Sequence, residues 1–144
     1  MKILIILLLT AFVCQAEPLD PNFLHALNQV ETGGKTGAIL GDGGKALGPF
    51  QIHKAYWQDA GVEGKYEQCA DYDYAVKVVT AYLNRYGKKF VETHDYEALA
   101  RIHNSGPNWR KKVYLTNAYW LKVKKALEYE NNNTNKRLSS DNRR

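Results

Sequence analysis

The chain has 144 residues, 44% of them hydrophobic, and 20 Lys and Arg against 15 Asp and Glu give a formal charge of +5. That length supports one domain with a core of its own. The excess charge gathers at the end, where Lys136, Arg137, Arg143 and Arg144 face Asp141 alone; the rest is nearly neutral, which excludes a cationic nucleic-acid binder.

The chain opens on the pattern of a secretory signal. Lys2 supplies the positive start, residues 3–13 are almost wholly apolar, and Ala16 is a small residue suited to cleavage. The apolar run falls short of the roughly 20 residues that a membrane span needs. Residues 1–16 are therefore expected to be a signal, residues 17–130 an exported domain without a membrane span, and residues 131–144 a basic, polar, disordered tail. Removing the signal takes Cys14 away and leaves Cys69 as a single thiol, open to burial or to pairing between chains, with burial the favoured expectation. Asn132-Asn133-Thr134 is a glycosylation sequon, meaningful in a eukaryotic secretory route.

Asp20-Pro21 reads as a helix start, a capping side chain followed by proline at the first helical position. Phe23, Leu24, Leu27 and Val30 recur at helical spacing, and Glu31, four residues after Leu27, falls on their face. Thr32-Gly33-Gly34 ends that helix. Seven of the eleven glycines then lie between Gly33 and Gly48, around the strand-like Ala38-Ile39-Leu40, which predicts a hairpin with irregular turns. Residues 50–60 read as a short helix closed by Gly61. Asp71 or Asp73 caps a stronger one, with Val76, Val79, Leu83 and Tyr86 on one face and Gly87 at its end. A fourth helix spans about Asp95 to His103. Thr116 opens a fifth, with Trp120, Val123 and Leu127 inward. The expected class is α+β, mainly α, with a small β-hairpin.

Several readings of the glycine segment fail. Gly34-Lys35-Thr36 has Gln29 where a phosphate-binding loop needs its first glycine, and Gly44-Lys45 is followed by Ala46. The loose dinucleotide pattern at residues 41–46 cannot open a long helix, because Gly48-Pro49 cuts it short. His25, His53, His94 and His103 form no metal-binding pair at i,i+3 or i,i+4, so no metal or cofactor is expected. A serine nucleophile is open only at Ser105, Ser139 or Ser140 in the mature chain, and the "HNSGP" around Ser105 reads first as a turn.

Two carboxyls remain, Glu31 at the end of an apolar helix face and Asp42 amid glycines on a polar hairpin. An acid whose head lies in a cleft is costly to charge, while one on a polar turn is not. Such a contrast suits glycoside cleavage, in which one carboxyl protonates the leaving oxygen and the other supports the developing cation. The plain alternative is that Glu31 caps a helix and Asp42 makes a turn. Composition and spacing leave the two level.

Six blocks in order, "VETGG", "GPFQI", "AYWQDAG", "CADYDYAVKVVTAYLNRYG", "ARIHNSGP" and "TNAYWLKV", resemble the invertebrate-type, destabilase-like lysozymes over roughly residues 24–127. "GDGGKALGPFQI" is also similar to lysozyme-like proteins with few cysteines. The resemblance implies a lysozyme-like fold, with the hairpin as one wall of a cleft. It also implies cleavage of the β-1,4 bond of peptidoglycan, with chitin as a further substrate, for defence or digestion. Glu31 matches the family's catalytic acid, with Thr32 replacing the serine that follows it, and Asp42 lies where the second carboxylate is expected. Gln51, His103 and Asn104 match cleft positions, while Tyr56, Trp57 and Trp109 offer flat faces to sugar rings. The family is rich in disulfides and this chain keeps only Cys69, so its fold must rest on the hydrophobic core. Two alternatives stay open: a lytic transglycosylase on the same scaffold, and a non-catalytic peptidoglycan- or chitin-binding protein. Oligomeric state is not legible.

Overall fold

The computed structural model describes residues 16–141; the expected signal, apart from Ala16, and Cys14 lie outside them. Five helices and a small sheet follow one another as α1 Pro21–Thr32, β1 Leu40–Gly41, β2 Ala46–Leu47, β3 Ile52–His53, α2 Lys54–Ala60, α3 Tyr72–Glu92, α4 Tyr96–Ser105 and α5 Val113–Asp141. Short 3-10 turns lie at Asp42–Gly44, Tyr66–Ala70 and Trp109–Lys112. The fold is α+β and mainly helical, as expected.

α1 begins as its sequence dictates. The Asp20 carboxylate accepts from Asn22 N, Pro21 takes the first helical position, and Gly33 closes the helix in the left-handed conformation. Phe23, Leu24 and Leu27 enter the core, where they meet Phe50, Val78, Val79, Leu83, Leu99, Ile102 and Val123. Cys69 is fully buried there as a free thiol. Arg101, only 4% exposed, straps α4 to α5. It donates to Glu97 Oε1, Thr116 Oγ1 and Val113 O, so its charge is buried with partners.

The sheet has three antiparallel strands in chain order, pairing Leu40 with Leu47, Gly41 with Ala46, Leu47 with Ile52 and Ala46 with His53. It corrects two expectations. The first strand is Leu40–Gly41, two residues later than the apolar triplet suggests, and Ile52–His53 is a strand where a helix from residue 50 was expected. Gln51, at φ 48, breaks any helix there, so α2 starts at Lys54.

Three helix limits also differ. Asp71 caps α3, accepting from Tyr74 N, but the helix runs past Gly87 to Glu92 with only a kink at that glycine. Gly87 is a contact rather than a stop: a Cβ there would lie 2.8 Å from Ile102 Cδ1 and 3.4 Å from Leu99 Cδ2. α5 begins at Val113, and Thr116 is a buried acceptor for Arg101 instead of a cap. The helix then continues through residues 131–141, where a disordered tail was expected. Extending a formed helix costs far less than starting one. Bonds from Asn22 Nδ2 to Asn131 Oδ1 at 2.8 Å and from Thr134 Oγ1 to Asn22 Oδ1 at 3.2 Å hold its first part against α1.

Candidate active site

α1 delivers Glu31 on its last turn, and the loop beyond must be held against it. Asn28, 6% exposed, does this: its Nδ2 lies 2.9 Å from Lys35 O and 3.0 Å from Pro49 O. Thr32 Oγ1 reaches the same two carbonyls. The hairpin is thereby tied to the turn that carries the acid. Gln51 fixes it from the other side, donating from Nε2 to Gly48 O and Ile39 O. Sheet register then sets the opposite wall. Asp42 follows Gly41 into the turn at φ 48, and His53 stands across from Ala46, so Asp42 Oδ2 and His53 Nε2 come within 3.5 Å.

A cleft of about 310 Å³ opens between these walls, lined by Glu31, Asp42, Ala46, Gln51, His53, Tyr56, His103 and Asn104. The two carboxyls meet it differently: the Glu31 side chain is 17% exposed and that of Asp42 61%. Behind Glu31, the Tyr119 hydroxyl of α5 donates to Oε1 at 2.6 Å. His103 Nε2 of α4 lies 3.5 Å from the same oxygen. Its Nδ1 meets the Tyr56 hydroxyl of α2 at 3.0 Å, and the Tyr56 ring stacks on Tyr82 with centroids 3.5 Å apart. Burial, then the Glu31 charge, push the Tyr119 hydroxyl well above its ordinary range. Burial, Tyr82 and Glu31 do the same to Tyr56. Both phenols stay protonated near neutral pH. Where Tyr56 donates to Nδ1, a neutral His103 carries its proton on Nε2, toward Glu31.

Of the residues expected from sequence, Glu31, Asp42, Gln51, Tyr56, His103 and Asn104 line this one cleft. Trp57 does not. Its indole donates to the Tyr74 hydroxyl at 2.9 Å and its ring tilts toward Tyr66. Trp109 instead lies near Arg101 and under Arg110, 4.6 Å from ring centroid to guanidinium carbon. His53 and Tyr119 were missed. Tyr119 had a signal, since it lies four residues before Val123 on the inward stripe of α5. His53 had none, because its place depends on strand register. No group of three or more His, Cys, Asp or Glu among the described residues is placed to hold a metal ion.

Residues 20–126 match the Destabilase family. A lysozyme of Ostrea edulis is 36% identical over 82% of this chain and 88% of its own length. The chain belongs to the destabilase family of invertebrate-type lysozymes. Among solved structures, the Meretrix lusoria lysozyme, in complex with Aeromonas hydrophila PliI, superposes with a TM-score of 0.62 at 31% identity. That match covers 74% of this chain and 89% of that one. The Tapes japonica lysozyme does so at 0.55 and 30%, over 78% and 92%. This destabilase-family chain is accordingly an enzyme, a glycoside hydrolase of the lysozyme kind.

Proposed function

We propose that the chain is an exported muramidase that hydrolyses the β-1,4 bond between N-acetylmuramic acid and N-acetylglucosamine in bacterial peptidoglycan. One observation carries the mechanism: two carboxyls of contrasting exposure, Glu31 enclosed and Asp42 open, line a single cleft. Glu31 gives its proton to the glycosidic oxygen as the bond from C1 to that oxygen breaks. Asp42, as a carboxylate, supports the positive charge gathering on the sugar ring. Water then adds at C1, and its proton returns to Glu31. Gln51 and Asn104 supply both donors and acceptors for sugar hydroxyls along the cleft. Among the described residues no helix is long and apolar enough to cross a membrane, which is compatible with export.

Digesting purified peptidoglycan and weighing the fragments tests this. Hydrolysis adds one water per cut and leaves reducing muramic ends. Anhydro ends would replace the proposal with a lytic transglycosylase acting through Glu31 alone. Adsorption without any product would replace it with a binding protein.

A further inference from the structure

A general acid must carry its proton on the oxygen that faces the bond it cleaves, and nothing in α1 itself chooses between the two oxygens of Glu31. The surroundings do. The Tyr119 hydroxyl and His103 Nε2 both approach Oε1, at 2.6 and 3.5 Å. No buried side-chain nitrogen or oxygen among the described residues lacks a partner, so Oε2 is not walled off in the core. We propose that Tyr119 is the positioning residue of the catalytic acid: by donating to Oε1 it confines the transferable proton to Oε2, the oxygen left for the substrate.

Tyr119 is suited to this. Among the described residues its hydroxyl has one hydrogen-bond partner, Glu31 Oε1. A proton on Oε1 would confront that donor and forfeit the contact. It would also face whatever proton His103 carries on Nε2. The helix bearing Tyr119 is held in place from elsewhere, through Arg101 with Thr116 and Val113 at one end and Asn22 with Asn131 further along. The phenol therefore arrives at Oε1 from a fixed support. The ionisable groups around the acid are His103 from α4, Tyr56 from α2, Tyr119 from α5, and Asp42 and His53 on the hairpin side of the cleft.

The kinetic consequences rest on the hydrolytic reading above, but the carboxyl itself can be followed without turnover. Tyr119→Phe keeps the ring and removes the donor. Expected are a fall in kcat of about tenfold with KM within about twofold. A hydrogen bond to the carboxylate favours its charged form, so losing the bond moves the alkaline limb of the rate profile to higher pH. In a protein labelled with 13C at glutamate carboxyls, the Glu31 resonance should titrate later in the variant. Fluorotyrosine at position 119, a stronger donor on an unchanged frame, should shift both readouts to lower pH. The proposal is overturned if the variant's limb and resonance stay where they are, or if fluorotyrosine moves neither. A protein that cleaves no glycan but still shows the two opposite carboxyl shifts would overturn the proposed function and leave Tyr119 its role.

Discussion

A carboxyl that donates a proton and a carboxylate that faces a developing cation need opposite surroundings, and Glu31 at 17% and Asp42 at 61% side-chain exposure have them. Glu31→Gln keeps the size and the acceptor for Tyr119 but has no proton to give. Wall lysis should fall by at least about a thousandfold, while the melting temperature and the affinity for chitotriose hold. Residual turnover near wild type, measured by loss of wall turbidity, would move the acid elsewhere. Asp42→Asn removes charge from an open turn, so its cost belongs to the rate alone, about a hundredfold or more in kcat. A near-normal rate would mean that one carboxyl suffices. Cys69 is a different case. Burial, with Glu67 adding, raises its thiol to about 11, far above the usual range. The native protein should resist iodoacetamide at about pH 8 and react once unfolded. Labelling at equal rates in both states would contradict the buried position.

The hairpin is where the site is most sensitive to backbone space. Gly48 has φ 80, and a Cβ there would lie 1.9 Å from Cys69 O. A neighbouring backbone cannot swing aside as a side-chain tip can. Gly48→Ala should therefore cost roughly 2–4 kcal/mol from strain and overpacking together, read as a lowered denaturant midpoint. An unchanged midpoint would mean that the hairpin stands off the Tyr66–Ala70 turn. The same geometry explains what the sequence could and could not convey. The starts of α1, α3 and α4 were legible because caps are local: Asp20, Asp71 and Asp95 each accept from a backbone N–H two or three residues on, whereas α2 and α5, which lack such a cap, begin elsewhere than expected. Gly87 was misleading, because a glycine needed for close approach of α4 looks the same in sequence as one that ends a helix. Glu31 was legible from helical phase and Asp42 from its glycine-rich turn. The contact of Asp42 with His53 depends on strand register, and that of Tyr119 with Glu31 on helix packing between residues far apart in the chain, neither of which a local pattern encodes.

At the scale of the whole molecule, Cys69 is a free thiol and stability rests on the packed core, in which Tyr82 is buried and against which Tyr56, Tyr96 and Tyr119 pack. Burial is the first cause that holds Tyr56, Tyr82, Tyr96 and Tyr119 above their ordinary values, Tyr82 at about 12. Tyr96 also gives a hydrogen bond to Asp20 Oδ2 at 2.6 Å, tying α4 to the start of α1. With Cys69 at about 11, the folded chain keeps protons that the unfolded chain releases at lower pH. Stability is then fully present below the unfolded values, about 9 for the thiol and about 10 for the phenols, and is lost as pH rises through the folded ones. The melting temperature should hold up to about pH 9 and fall steeply over the next three units or so, with tyrosinate absorbance and loss of helix changing together. Full tyrosine ionisation while the helices persist would show that the phenols reach water in the native state, and the stacked Tyr56 and Tyr82 behind the cleft would be the first contacts to reconsider.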